Sequence, residues 1–128
     1  MGEISVDTSR DVHLVVPAAA EYLRLVRLTA AGLASRMGFT FDEVEDLRIA
    51  VDEVCFLLLD ESPTATIELR YLASPDSIGI EGSTESNGGL PEPNDLSMQI
   101  LNALVDEVAI TSEGGRLAFR MVKTKESF

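Results

Sequence analysis

The chain has 128 residues, of which 45% are apolar, 22 are Asp or Glu and 10 are Lys or Arg, giving a formal net charge of −12. A chain of this length builds one core, burying roughly 65 to 70% of the surface it exposes when unfolded, so a single domain spanning residues 1–128 is expected. The acidity disfavours direct binding to nucleic acid or to an anionic membrane, because phosphates are repelled, and it either steers in a basic partner or only keeps the domain soluble.

At the start, Met1-Gly-Glu-Ile-Ser-Val-Asp7 has neither a basic segment nor an apolar one of the secretory kind, and no stretch approaches the ~20 apolar residues needed to span a bilayer. A cytoplasmic location is the expectation. Residues 11 to 16, Asp-Val-His-Leu-Val-Val, read as a strand before Pro17, which suits the first turn of a helix. Tyr22, Leu25, Val26, Thr29, Leu33 and Met37 then recur at helical spacing until Gly38, predicting a helix over 17–37. Thr40-Phe-Asp-Glu43 has the form of a capping box, with further carboxylates where the helix dipole is positive. A second helix therefore starts near residue 41. Its apolar positions Val44, Leu47, Val51, Val54 and Leu58 step by three and four. It broadens at Cys55-Phe-Leu-Leu-Leu59, apolar on every side, so this end must be buried or docked, and Ser62-Pro63 stops it.

Residues 64 to 72 alternate as a half-buried strand, and 77 to 81 form a weaker one, the two making a hairpin around Ser74-Pro-Asp76. The polar stretch from Gly82 to Asn94 reads as a loop, in which Gly88-Gly89 is a turn signal and no more. Leu96, Ile100, Leu101, Leu104, Val105 and Val108 recover the helical period, with Asn94 or Asp95 as N-cap. Val108–Thr111 and Arg116–Val122 close the chain as a hairpin around Glu113-Gly-Gly115. The order β-α-α-β-β-α-β-β predicts an α+β sandwich, with helices grouped on one face of a largely antiparallel sheet.

The stretch from Val16-Pro-Ala-Ala-Ala-Glu-Tyr-Leu23 to Leu47-Arg-Ile-Ala-Val-Asp-Glu-Val-Cys55 resembles the RsbW-type anti-sigma factors, serine-protein kinases of the GHKL ATPase superfamily. Leu104-Val-Asp-Glu-Val-Ala-Ile110 is similar to the segment after that family's glycine-rich box. The resemblance implies a two-layer α/β sandwich of the GHKL (Bergerat) type, with three helices on one face of a mostly antiparallel, mixed sheet. It also implies binding to an RNA polymerase sigma factor, control by a STAS-type anti-anti-sigma protein, and a possible homodimer.

The resemblance further implies an ATP site in three parts, and this chain departs from each. In the Glu-x-x-x-Asn box, Glu53 stands at the general-base position but Leu57 replaces the Asn that holds Mg²⁺, a hard cation that requires oxygen ligands. In place of the Asp-x-Gly-x-Gly turn that reads adenine stands Ile80-Glu-Gly-Ser-Thr-Glu85, with Glu81 as a shifted acceptor at best. In place of the Gly-x-Gly loop, whose bare N–H groups hold phosphate at a helix N-terminus, stands Asn94-Asp-Leu-Ser97. Asp95 and Ser97 there bring side chains and a negative charge. The lid is shortened to about residues 85–94. The expectation is a non-catalytic anti-sigma factor with no cofactor and no metal. The alternatives are a Mg-ATP-dependent serine kinase acting on its STAS antagonist, and a GHKL-like module that reads another signal.

Glu21, Arg24 and Arg27 read either as a solvated helix face or as a charged docking patch on one exposed side of the first helix, Arg27 aligning with an arginine that touches sigma in a related anti-sigma factor. Cys55, the single cysteine, reads as a buried structural thiol. His13, the single histidine, has no nucleophile or thiol cluster to serve, so it reads as a strand residue rather than part of a triad or zinc site.

Overall fold

A computed structural model of the protein describes residues 11–60, 62–85 and 94–126. In chain order these form β1 (Val12–Pro17), α1 (Leu23–Arg36) after a single 3-10 turn at Ala20–Tyr22, α2 (Phe41–Phe56), β2 (Thr66–Ala73), β3 (Ser77–Glu85), α3 (Asp95–Leu104), β4 (Glu107–Glu113) and β5 (Arg116–Thr124). The strands form one sheet in the order β1-β2-β3-β5-β4. Every pairing is antiparallel, so the sheet is not mixed as expected. The cause is the α1–α2 hairpin: two helices between β1 and β2 return the chain to the end it left, and β2 must run back beside β1.

Alternation places Ile67, Leu69 and Tyr71 of β2, Ile78 and Ile80 of β3, and Leu117, Phe119 and Met121 of β5 in the core beneath the helices. The opposite face carries crossed ion pairs. Arg116 reaches Glu68 and Glu85, and Arg120 reaches Glu81 and Glu107. β3 runs to Glu85, four residues past the expected end, because Gly82 and Thr84 continue its inward alternation and it pairs with β5 all the way to Arg116. The remainder of the expected loop, 86–93 with its Gly-Gly pair and shortened lid, lies outside the described residues, as does the N-terminal segment 1–10.

The first helix begins later than expected. Pro17 ends β1 opposite Thr66, where a residue without an N–H is tolerated at the end of an edge strand. The buried line of α1 is Leu23, Val26, Ala30 and Ala34, whereas Tyr22 and Leu25 of the expected stripe are exposed. Alanines set that phase by allowing close approach to the sheet and α2. Gly38, at φ +89, ends α1 as expected. Phe39 N–H donates to Ala34 O and Gly38 N–H to Ser35 O, the paired bonds of a Schellman cap.

The Thr40 box is formed in full: the Thr40 hydroxyl accepts from Glu43 N–H at 3.1 Å, and the Glu43 carboxylate accepts from Thr40 N–H at 2.7 Å. The helix stops at Phe56, short of the Ser62-Pro63 expected to stop it, and tightens through Leu57 and Leu58, whose N–H groups donate to Val54 O and Cys55 O. Cys55 is buried, and its thiol is pushed up to about 12 by burial and by the nearby Asp52. It therefore stays a neutral thiol.

The end of β5 fastens the lower ends of all three helices. Lys125 Nζ donates to Met37 O after α1, Lys123 Nζ to Leu104 O at the end of α3, and Glu126 N–H to the Glu43 carboxylate at the start of α2. Cations at helix C-termini and a carboxylate at an N-terminus each complement the local backbone dipole. The opposite end, where α1 and α3 begin and α2 stops, has no such strap among the described residues.

Candidate functional site

At that open end α2 and α3 run antiparallel. Lys123 ties Leu104, the last residue of α3, to Asp46 near the start of α2. Two turns further, Ser97 Oγ donates to Glu53 Oε2 at 2.9 Å. The expected nucleotide-facing residues Glu53, Leu57, Asp95 and Ser97 thus lie at one place, on the last turn of α2 and the first turn of α3.

Their side chains meet one another, the adjoining backbone or the core, with Asp95 left exposed. The Asn94 side chain caps α3, accepting from Ser97 N–H at 2.7 Å, so the backbone donor that would meet a phosphate oxygen is satisfied internally. Asp95 sits exposed in the first turn, with its carboxylate where an anion is otherwise favoured. The Glu53 carboxylate is engaged by Ser97. Leu57 packs its side chain against the core and presents no oxygen. Among the described residues, no three carboxylate, imidazole or thiol groups converge as a metal site. Glu81, the shifted adenine acceptor, is on the far face of the sheet, where Arg120 and Arg70 approach it at 3.6 and 4.0 Å. It cannot serve the helix side.

The residues of the expected docking patch differ in their contacts. Glu21 and Arg24 are exposed, but Arg27 turns toward α2, with Nη1 3.0 Å from both carboxylate oxygens of Asp52 and its side chain 28% exposed. Arg27, one turn beyond Arg24, is thus already engaged across the α1–α2 seam. His13 lies in β1 as expected, paired with Arg70 across the ladder.

Sequence reasoning missed two groups here. Phe56 and Leu96 are 68% and 65% exposed, at the end of α2 and the start of α3. The signal for Phe56 was present in the five successive apolar residues 55–59, which cannot all point inward from one helix. The other group is a polar cleft of about 500 Å³ at the same end of the sheet, lined by Asp60, Ser62, Thr64, Ser83, Glu85 and Arg116 among others. Arg116 is held there by Ser83 Oγ at 2.8 Å and by Glu85 and Glu68. No local sequence pattern gathers these residues.

The chain is similar to curated serine-protein kinases named RsbW. It is 29% identical over 127 residues to that of Bacillus cereus strain B4264, covering 81% of this chain and 79% of the relative. The identity and coverage are the same for Bacillus mycoides strain KBAB4, and 28% for Bacillus anthracis. No family model matches the chain. In three dimensions it superposes on the crystal structure of the RsbU and RsbW domains of a Mycobacterium tuberculosis protein with a TM-score of 0.69 at 16% identity. That match covers 90% of this chain and spans about a third, 32%, of the other. Over four-fifths of its length the chain is thus similar in sequence to RsbW proteins, and its α+β fold of three helices on an antiparallel sheet is similar to that of a solved structure containing an RsbW domain.

Proposed function

We propose that the protein is an anti-sigma factor that sequesters an RNA polymerase sigma factor and is switched by a STAS-type anti-anti-sigma protein, without ATP-dependent kinase chemistry. The observation that carries this reading is the mouth between α2 and α3. It keeps the RsbW-like scaffold but satisfies Ser97 N–H with Asn94, engages Glu53 with Ser97 and exposes Asp95. Such a mouth repels a triphosphate and has no oxygen at Leu57 for its cation. What remains usable is surface, acidic overall and suited to a basic protein partner. The protein works in the cytoplasm, as one domain, in this reading.

Titration calorimetry with Mg-ATP tests the chemical half. No saturable heat is expected up to millimolar nucleotide, and no phosphate should pass to a STAS partner. Micromolar binding with phosphorylation of that partner would establish instead the kinase reading, which Glu53 at the general-base position and the kinase names of the relatives favour. Capture of sigma factors from the native cell tests the other half, and an empty capture overturns it. Arg24→Glu, on the exposed flank of α1, is expected to weaken capture by about tenfold or more, the scale of a charged hot spot. Arg27→Ala should act less, because its guanidinium is already engaged by Asp52. Equal affinity for wild type and Arg24→Glu removes this flank from the interface.

A further inference from the structure

Phe56 and Leu96 are large apolar side chains left in solvent on neighbouring helix ends. The Ser97–Glu53 bond fixes those ends together. Phe56 lies three residues beyond Glu53, and Leu96 immediately precedes Ser97, so both crown the same junction. Ile49, also exposed, stands two turns before Phe56 on the same side of α2. Around this apolar line the charge is one-sided. α2 carries six carboxylates and α3 one, Asp95, against a single basic residue, Arg48, in the two helices. Glu43 is buried, and Asp46 and Asp52 are paired with Lys123 and Arg27, which leaves Asp42, Glu53 and Asp95 without a cation partner among the described residues. Arg48 is itself paired with Glu45 at 2.6 Å. An exposed apolar ridge within an acidic field is complementary to a helix with an apolar stripe and basic flanks.

We propose that the junction of α2 and α3 is a docking site for a basic amphipathic helix of a partner protein, with Phe56 and Leu96 as apolar anchors and Glu53 and Asp95 as its charged rim. This rests on the reading of the chain as a protein-binding regulator and names the chemistry of the segment it takes. The anchors fill the partner's stripe, and the rim orients its lysines and arginines. Exposed anchors also carry little of the fold's stability, so they can be changed without unfolding it.

The test uses a synthetic amphipathic helix of about 15 residues, with leucine at i, i+3 and i+7 and lysine elsewhere, titrated into the labelled full chain and followed by amide chemical shifts. Saturable shifts centred on Glu53, Phe56, Asp95 and Leu96 are expected, weakening as salt rises. The double variant Phe56→Ser/Leu96→Ser, checked as folded by its melting curve, should lose at least about tenfold in affinity. The proposal is overturned by shifts centred elsewhere, by absence of saturation, by equal affinity of the double variant, or by equal binding of a peptide with glutamate in place of lysine. Those outcomes leave sigma capture by the wild-type chain unchanged, which separates failure of this site from failure of the anti-sigma reading.

Discussion

Gly82→Ala is expected to destabilise the fold by about 2 kcal/mol, the cost of overpacking a filled core. A β-carbon on Gly82 would meet the Phe119 ring at 2.4, 2.8 and 3.2 Å. The two residues are register partners on β3 and β5, and Phe119 is buried. The ring lies across the bare backbone of its neighbour, as aromatic residues do when they cover a strand glycine. It cannot swing away without leaving the core. The loss should appear in urea denaturation as a lower midpoint at unchanged slope, and as a melting temperature lower by about 7 °C. Phe119→Leu, which vacates part of that volume, should be less damaging in the Gly82→Ala background than in the wild type, giving a favourable coupling in the double-mutant cycle. Strict additivity of the two changes would show that the ring does not enforce glycine at this position.

The same pair explains why β3 reads short in the sequence. Gly82-Ser83 has the composition of a turn, and the reason a glycine stands there is a ring 37 residues away on another strand. Elements whose causes are local were legible. The Thr40–Glu43 box, the Gly38 cap and the Asn94 cap each satisfy backbone groups within a few positions, so spacing alone reveals them. The phase of α1 was not legible, because Ala30 and Ala34 are weak apolar signals beside Leu25, and the choice between them is made by how closely the helix approaches its neighbours. In the site, Leu57, Asp95 and Ser97 were visible as departures from the resembled motifs. The hydrogen bond that joins Glu53 to Ser97 was not, nor was the ion pair that draws Arg27 to Asp52. Both join residues on different helices, and only the packing of those helices sets which side chains meet.

Glu43→Gln is expected to destabilise the protein at neutral pH by about 2 kcal/mol, the scale of a hydrogen bond to a charged group. The side chain is buried, with one oxygen accepting from Thr40 N–H and the other from Glu126 N–H, each at 2.7 Å. A glutamine at this position keeps one acceptor and turns an NH₂ toward the second donor, so either the cap of α2 or the strap from β5 is lost. The same geometry sets a pH dependence. Burial alone would raise the carboxyl, but the hydrogen bonds from Thr40 and Glu126 and the charge of Lys123 outweigh it, and the folded-state value is lowered. The unfolded chain therefore takes up this proton first as pH falls. The stabilisation is fully present above the ordinary glutamate value of about 4.3 and is lost as pH falls through the lower folded-state value. The stability gap between wild type and Glu43→Gln, measured by urea denaturation, should be widest at pH 7 and close in acid. A gap of constant size across that range would mean that the carboxylate charge contributes nothing. The Thr40 and Glu126 hydrogen bonds would then act at the lower end as neutral ones, beside packing and the two lysines.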